Sequence, residues 1–395
     1  MLISICLIIL VGLSLSFLLK MIRLPSLIAY LITGIVLGPY VLNLIDASVL
    51  NISSELRQVA MVIILFRAGL MLNLKDLKKL GLPGILMCFL PALVELIAIA
   101  FLAPILFDIS FIDALLLGSV LAAVSPAVIV PRMIKMMEEG RGVRKGLPQL
   151  ILAGASVDDI FVIVLFTTFL SLASTGEFTA ISLLDIPISF VLGVGLGVLL
   201  GFLLVLIFKK IHMRDTVKVL IILAISFGYI VIEKTIEPYV AFSGFLAILA
   251  TGITISSRYD LLAKRISGKF NKLWVIAEII LFVMVGASVD ISFFFLNFGW
   301  AVALIACALV VRFGGVMLSL IKTKFSLKEK IYAGISYMPK ATVQAAIGGI
   351  PLALGLASGQ LILSIAVVAI LTTAPIGSIL MDLLKNRLVE LDIKS

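Results

Sequence analysis

The stretch LILAGASVDDIFVIVLFTTFLSL, residues 150–172, is an apolar run whose only charged residues are two adjacent aspartates, Asp158 and Asp159. The run is long enough to cross a bilayer, which takes about 20 residues at about 1.5 Å rise each. An ionised carboxylate at mid-membrane depth costs at least ~2.5 kcal/mol on insertion scales. Two adjacent carboxylates therefore indicate that a positive species comes to them, whether a proton, a metal cation or a basic side chain. We expect the function at this pair.

The whole chain has the composition of a membrane protein. Of its 395 residues, 62% are hydrophobic and only 13% are charged, and the mean hydropathy is +1.29. A soluble domain is about half apolar and about a quarter charged. The N-terminal run 2–19 has no basic leading segment and no small-residue cleavage site, so we predict a first membrane helix and not a removed signal peptide. The three cysteines show no metal-ligand spacing, which argues against disulfides and zinc.

Hydropathy predicts an all-α polytopic protein with about thirteen transmembrane helices, near residues 2–19, 26–44, 57–72, 82–106, 111–134, 149–173, 183–208, 216–233, 239–256, 273–289, 297–321, 330–352 and 359–383. Of the 31 lysines and arginines, 26 fall in or beside the odd-numbered loops and in the C-terminal tail. The positive-inside rule then places the N-terminus outside and the C-terminus in the cytoplasm. The net charge of +9 is thus an orientation signal, and no nucleic-acid partner is expected.

Two of the predicted spans contain helix-breaking residues at mid-depth. The span 111–134 contains AVSPA at 123–127, and the span 330–352 contains MPKATVQ at 338–344. A proline removes a backbone hydrogen bond that lipid cannot replace, so interrupted helices at this depth usually line a polar cavity. Because the two spans cross the membrane in opposite directions, they predict a transporter built from inverted repeats. Prolines that merely kink helices are the simpler alternative.

Charged residues inside the spans are expected to pair, because pairing offsets part of the cost of burial. Besides the two aspartates, the candidates are Glu95, Arg67, Glu278, Arg312 and Lys340. Arg67 and Glu278 lie close enough to span ends to reach the interface, and their roles stay open.

Asp158 and Asp159 point about 100° apart on a helix, so they face different surroundings. One can be held by a cation while the other faces a cavity. A free carboxylate binds either a proton or Na⁺, and this exclusivity is the basis of exchange. Oxygen ligands for a hard monovalent cation are available at Asp159, Ser125, Ser156 and Thr342. The alternative is a buried salt-bridge network with a structural role only.

Three motifs carry a family resemblance. GSVLAAVSPAVIVP at 118–131, GASVDD at 154–159 and MPKATVQAAIG at 338–348 resemble the NHA group of monovalent cation/proton antiporters, which has the NhaA-like fold of the cation:proton antiporter superfamily. Weaker similarities, RAGL at 67–70, PALVE at 91–95, VR at 311–312 and TAPIG at 373–377, run in the same order and extend the resemblance over most of the chain.

The resemblance implies a thirteen-helix NhaA-like fold of inverted repeats, with two crossed discontinuous helices near 111–134 and 330–352. It also implies a homodimer with elevator-type alternating access, in which dimerisation helices (about 1–44 and 183–256) are interleaved with ion-transporting core helices (about 57–173 and 273–383). Transferred by position, Asp159 is the ion- and proton-binding carboxylate and Asp158 the neighbouring acid paired with Arg312. Lys340 neutralises the crossed helix ends, with Glu95 as its possible partner.

Arg312 bears on stoichiometry. Electrogenic relatives in the wider superfamily carry a lysine at this position, and that lysine is thought to take part in proton release. An arginine keeps its proton at any physiological pH, so it serves only as a fixed counter-ion. We therefore predict electroneutral exchange of one cation for one proton. The transported Na⁺ or Li⁺ and the proton are substrates, and no cofactor is expected.

The leading hypothesis is a Na⁺(Li⁺)/H⁺ antiporter, and not an enzyme, in the cytoplasmic membrane of a prokaryote. A Na⁺-coupled solute symporter or a cation channel on a similar fold is the main alternative. An intramembrane aspartyl protease needs two aspartates that face each other, which neighbours on one helix cannot do. The one histidine, His212, lies in a basic loop and is expected to be a bystander.

Overall fold

A computed structural model describes residues 1–22, 24–71, 81–175, 182–236, 240 and 242–392, without the side chains of Ser156, Ile160 and residues 174–187. In these ranges the chain is almost entirely helical, and the only β-type pairing is an isolated bridge between Arg141 and Leu391. The helices are α1 (Leu2–Met21), α2 (Ser26–Leu37), α3 (Ala47–Leu50), α4 (Ser53–Met71), α5 (Gly81–Phe107), α6 (Phe111–Leu121), α7 (Pro126–Glu138), α8 (Leu147–Thr175), α9 (Ser182–Lys210), α10 (Asp215–Ile236), α11 (Gly244–Arg258), α12 (Asp260–Ala287), α13 (Ile291–Ser319), α14 (Leu327–Ser336), α15 (Thr342–Ile347), α16 (Ile350–Ala353) and α17 (Gly359–Leu388).

In the described ranges, nine helical segments are long and apolar enough to cross a membrane: Leu2–Met21, Gly81–Phe107, Phe111–Glu138, Leu147–Ala173, Ile188–Lys210, Asp215–Ile236, Asp260–Ala287, Ile291–Ser319 and Gly359–Leu388. Three further apolar helices are shorter, at Ser26–Leu37, Gly244–Arg258 and Thr342–Ala353. The protein is therefore a multi-pass helical membrane protein, as predicted. Nine long segments do not by themselves give the predicted count of thirteen.

Some predicted boundaries differ from the observed ones. The second span was expected to continue to residue 44, but α2 ends at Leu37 and Gly38 is extended, with ψ of 174°. Pro39 follows, and the residue before a proline is excluded from the helical conformation by a steric clash. Residues 257–272, predicted to connect two spans, belong mostly to α12. Their polar residues form the first part of α12, and the apolar residues that follow form its C-terminal part.

The described chain divides into two compact units. The first contains the described parts of Met1–Ser54, Leu77–Phe169 and Leu281–Ser395. In this unit α5 packs against α6 and α13, and α17 packs against α13 and α14. Glycines allow α2 and the end of α12 to approach closely: a Cβ on Gly34 would lie 2.9 Å from the backbone nitrogen of Ala287. Small residues serve the same purpose between many transmembrane helices.

The second unit contains the described parts of Glu55–Asp76 and Leu170–Ile280. Its main packing is α11 against α9 and α10. Glycines again set the distance: a Cβ on Gly69 of α4 would lie 2.5 Å from the carbonyl oxygen of Leu249, and one on Gly201 of α9 would lie 3.1 Å from that of Thr251. The hydroxyl groups of Tyr229 and Thr251 are 2.9 Å apart in the interior of this unit.

Candidate functional site

The two predicted interruptions contact each other inside the first unit. Residues 122–125 separate α6 from α7, and residues 337–341 separate α14 from α15. Pro126 is the first residue of α7, a position where the missing N–H costs no helical hydrogen bond. The N–H of Ser125 donates to the carbonyl oxygen of Pro339 over 2.8 Å. Backbone that lipid could not satisfy is thus paired with backbone from the other interruption.

Arg312 on α13 lies between two carboxylates next to the first interruption. Its Nη1 is 2.6 Å from Oε2 of Glu95 on α5, and its Nη2 is 2.9 Å from Oδ2 of Asp158 on α8. Nη1 also donates to the carbonyl oxygen of Ala122. The guanidinium and both carboxylates are buried, so their charges are compensated within the protein and not by water. Charge-assisted contacts of this kind are the strong ones in an interior.

Lys340, from the second interruption, reaches the same glutamate. Its Nζ is 2.8 Å from Oε1 and 2.9 Å from Oε2 of Glu95. Its backbone N–H donates to Oγ1 of Thr373 on α17 over 2.9 Å. Glu95 therefore accepts from two bases on two different elements. With Asp158 included, two carboxylates face two basic side chains, and the formal charges cancel when all four groups are ionised.

The two neighbouring aspartates have different environments. Asp158 is bound by Arg312, and its Oδ2 also accepts from the N–H of Val124 at 2.9 Å. Asp159 is 7% exposed and forms no ion pair with any described side chain. Its Oδ1 has no hydrogen-bond partner within the described part of the chain. One carboxylate is thus held in the network, and the next is left for another positive partner.

The other predicted oxygen ligands are only partly accounted for. Ser125 and Thr342 are buried, and their hydroxyl oxygens find no hydrogen-bond partner among the residues described. Ser125 lies in the first interruption and Thr342 is the first residue of α15, but no described hydrogen bond joins either of them to Asp159. The side chain of Ser156 lies outside the described residues. No group of three or more His, Cys, Asp or Glu side chains suited to a resident metal occurs in the described ranges.

Arg67 and Glu278 are separate from this network. They belong to the second unit, on α4 and α12, and both are half-buried. The two side chains are close enough to attract each other electrostatically.

Three polar residues of the site were not predicted. The amide of Gln344 contacts backbone carbonyls at the end of α6, the ring of Tyr337 lies 5.4 Å below the Arg312 guanidinium, and Thr373 accepts from Lys340. One signal could have indicated Gln344: a polar side chain in an apolar segment beside a helix break must find a partner. Nothing in the sequence indicates which carbonyls it reaches.

Apolar spanning helices, two interruptions in contact and a buried network of acids and bases define the class of a polytopic membrane transporter. The family model described as "Sodium/hydrogen exchanger, transmembrane" matches residues 5–385, which is nearly the whole chain. The chain belongs to this family. Its members are exchangers and not enzymes.

Curated relatives agree with this assignment. The chain is similar to sodium/hydrogen exchanger 9B2 of Mus musculus, with 33% identity over 347 residues, and of Homo sapiens, with 34% identity over 350 residues. These alignments cover 86% of this chain, but only 63% and 64% of the two relatives. The chain thus spans less than two thirds of their length. Sodium/hydrogen exchanger 9B1 of Homo sapiens is 33% identical over 354 residues, which are 85% of this chain and 67% of the relative.

Solved structures show the same fold. The sodium proton antiporter MjNhaP1 from Methanocaldococcus jannaschii at pH 8 superimposes with a TM-score of 0.84, covering 98% of this chain and 97% of that one. An electron-microscopy structure of the same antiporter gives a TM-score of 0.74 with 97% and 96% coverage. The sequence identities are 19% and 21%, so these similarities concern the fold alone.

Proposed function

We propose that the chain is a secondary active Na⁺(Li⁺)/H⁺ antiporter in which the cation and the proton compete for Asp159. The observation that carries this proposal is that Asp159, although buried, forms no ion pair with a described side chain, while Asp158 beside it is bound by Arg312. A carboxylate in that position needs a positive partner, and a mobile cation or a proton supplies it. Membership of the sodium/hydrogen exchanger family supports the same substrates.

Competition at one carboxylate couples the two fluxes. Asp159 binds either a proton or a Na⁺ ion, and either of them neutralises it. The neutral site can cross between the two faces of the membrane, whereas the empty charged site is too costly to move through a low-dielectric environment. The proposed additional oxygen ligands are Ser125, Ser156 and Thr342. Their oxygens would replace part of the water shell of the bound cation.

The exchange is proposed to be electroneutral, one cation for one proton. Arg312 contacts Glu95, Asp158 and the carbonyl of Ala122 and, as a guanidinium, keeps its proton throughout a cycle. Lys340 is held against Glu95 and serves as charge compensation for the interruptions. On this assignment only Asp159 changes its protonation state, so each Na⁺ that enters the site displaces one proton.

The proposed architecture has thirteen spanning helices with two crossed, discontinuous ones. Four further helical segments bring the nine long ones to thirteen: α2, α4, α11 and the interrupted α14–α16. α4 has 19 residues and three charged side chains, Glu55, Arg57 and Arg67. The hydrogen bond between Ser125 and Pro339 supports the crossing of the interruptions.

We further propose a homodimer with elevator-type alternating access. Dimerisation helices at about 1–44 and 183–256 would stay fixed while core helices at about 57–173 and 273–383 carry the site across the bilayer. The proposed location is the cytoplasmic membrane of a prokaryote, with the N-terminus outside and the C-terminus in the cytoplasm. The distribution of lysine and arginine between alternate loops supports that orientation.

The test uses the purified protein in proteoliposomes, with wild type compared with Asp159→Asn. Internal pH is followed after addition of Na⁺, Li⁺ or K⁺, with the membrane potential free or clamped. We expect Na⁺- and Li⁺-driven proton flux that Asp159→Asn abolishes and that clamping does not change. The matched control is Asp290→Asn at the start of α13, because asparagine caps a helix as well as aspartate does and this residue lies outside the charge network.

Other outcomes would change the proposal in defined ways. Voltage-dependent exchange would keep the antiporter but contradict the one-for-one stoichiometry. Activity that survives in Asp159→Asn would remove Asp159 from the ion site. Absence of cation-driven proton flux in folded wild type would favour a Na⁺-coupled symporter or a cation channel.

A further inference from the structure

The carboxyl end of α6 presents carbonyl groups that the helix itself cannot satisfy. The last four carbonyls of an α-helix lack partners within it, and at membrane depth water does not replace them. α6 ends at Leu121, and the chain is non-helical through Ser125. The carbonyl of Gly118 accepts from the N–H of Ala122 at 2.9 Å, so the carbonyls that follow it need donors from other parts of the chain.

Two side chains from other helices supply those donors. Arg312 donates to the carbonyl of Ala122. Nε2 of Gln344 is 2.9 Å from the carbonyl oxygen of Ala123, 3.1 Å from that of Val120 and 3.4 Å from that of Leu121. An amide NH₂ has two hydrogens, so the two shorter contacts are the ones that it can satisfy together.

The other half of the Gln344 amide is in a different situation. Gln344 is completely buried on the short helix α15, and its Oε1 has no hydrogen-bond partner in the described ranges. The same holds for the hydroxyl oxygens of Ser125 in the first interruption and of Thr342, which begins α15 directly after the second. The carbonyl oxygens of Val120 and Ala123 therefore have a hydrogen-bond donor. The side-chain oxygens of Ser125, Thr342 and Gln344 have none among the described residues.

We propose that Gln344 is a positioning residue that determines cation specificity in the exchange reaction. Its nitrogen occupies the carbonyls at the end of α6 and keeps them from ligating a cation, so the cation is left to Asp159 and the side-chain oxygens. The same contacts tie α6 to α15 and hold both interruptions in one geometry. This inference rests on the proposed exchange function, and it adds the residue that decides which oxygens the ion meets.

Loss of the amide donor changes ion discrimination. Freed carbonyls become additional neutral ligands, and the loosened helix end no longer holds the site at one size. Discrimination between the small Li⁺ and the larger Na⁺ depends on a site of fixed size, so the ratio of their KM values moves toward one. A hydrogen bond has a net value that corresponds to about a fivefold change in an equilibrium constant, and we expect a change of that order in the ratio.

Two substitutions isolate the donor from the rest of the side chain. Gln344→Met removes the donor without adding charge, and Gln344→Glu keeps the shape but replaces the NH₂ group, with its two hydrogens, by an oxygen that carries at most one. A defect common to both is due to the missing N–H groups. The matched control is Gln360→Met on α17, because Nε2 of Gln360 has no hydrogen-bond partner among the described residues and its loss frees no carbonyl.

Two readouts are measured on the full chain. In proteoliposomes, the KM values for Na⁺ and Li⁺ are taken from proton flux, and their ratio is independent of how much protein is folded. Hydrogen–deuterium exchange of residues 122–125 reports the interruption directly, because the N–H groups of Val124 and Ser125 are bonded to Asp158 and Pro339. We expect both Gln344 variants to shift the ratio of the KM values for Na⁺ and Li⁺ and to show faster deuterium exchange at residues 122–125. Gln360→Met should behave like wild type in both measurements.

The results separate this inference from the proposed function. A lower maximal rate with unchanged KM values for both ions would mean a purely structural role and would overturn the specificity claim. Unchanged hydrogen–deuterium exchange at residues 122–125 in both variants would overturn the claim that Gln344 holds the carbonyl end of α6. If wild type shows no cation-driven proton flux, the exchange function fails, and the deuterium exchange still decides whether Gln344 holds the end of α6.

Discussion

Glu95 receives both Arg312 and Lys340, so this one carboxylate joins α5 to α13 and to the second interruption. The three side chains are at most 1% exposed. A buried ion pair adds little net stability over an apolar core, but removing one partner leaves a charge without compensation. Here the removal of a single carboxylate would leave two buried cations facing only Asp158.

Glu95→Gln is therefore expected to lower the free energy of unfolding by about 3–5 kcal/mol. The measurement is thermal or chemical unfolding in detergent, with exposed Glu138→Gln on α7 as the matched control. Adding Lys340→Met to Glu95→Gln should recover part of the loss, because one of the uncompensated charges is then gone. A double variant whose loss equals the sum of the two single losses would contradict the coupling of these residues.

The helices around the network are placed by close contacts that depend on the absence of a side chain. Gly154 lies one turn before Asp158 on α8, and a Cβ there would meet the hydroxyl oxygen of Tyr337. Tyr337 follows α14 and lies under the Arg312 guanidinium. The spacing between α8 and the second interruption is thus set by a glycine and a tyrosine, directly beside the charged residues.

Gly154→Ala is expected to destabilise the protein by about 1–3 kcal/mol, because a tightly packed interior cannot accept the added methyl group without movement. Tyr337→Phe removes the atom that the methyl group would meet, so Gly154→Ala should cost less in that background. The unfolding midpoints of the single and double variants measure this. Gly299→Ala on α13 is the control: nothing lies within 4 Å of its added Cβ, and alanine favours a helix over glycine. Equal losses in both backgrounds would place the strain elsewhere.

Across the whole molecule, the C-terminal segment is tied to the connection between α7 and α8, about 250 residues earlier in the chain. The N–H of Asp392 donates to the carbonyl of Gly140 over 2.8 Å, and Arg141 donates to the carbonyl of Val389 over 3.0 Å. The Lys385 amine beside Glu139 lowers the pKa of that carboxyl group from its ordinary value of 4.5. Glu139 and residues 389–392 lie outside the spanning helices, and Lys385 lies in the last turn of α17.

A lowered carboxyl pKa makes the contact pH-dependent with a defined sign. Its stabilising contribution is present above the ordinary pKa of 4.5 and is lost as the pH falls below it toward the folded-state pKa. Hydrogen–deuterium exchange of residues 385–392, corrected for intrinsic exchange, should therefore rise in wild type as the pH falls from about 5 to about 3. Glu139→Gln should exchange faster already at neutral pH and lose this part of the pH dependence. Exposed Glu390→Gln is the control, and a wild-type profile in Glu139→Gln would exclude the pair as the cause.

The sequence by itself determined the features that depend on neighbouring residues. Apolar runs identify a membrane protein, Pro126 and Pro339 mark two interruptions because a proline removes a local hydrogen bond, and adjacent aspartates diverge because a helix turns by about 100° per residue. The similarity of the motifs around Asp159 and Lys340 indicated the family that the family model then matched.

Only the tertiary structure decided which of these residues meet. Glu95 lies 217 residues from Arg312 and 245 from Lys340, and nothing local to any of them states that one carboxylate serves both bases. The same is true of Gln344, whose carbonyl partners are more than 220 residues away. Helix periodicity is local, whereas the pairing of buried charges and carbonyls is settled by how the helices pack, because each buried polar group must find its partner in three dimensions.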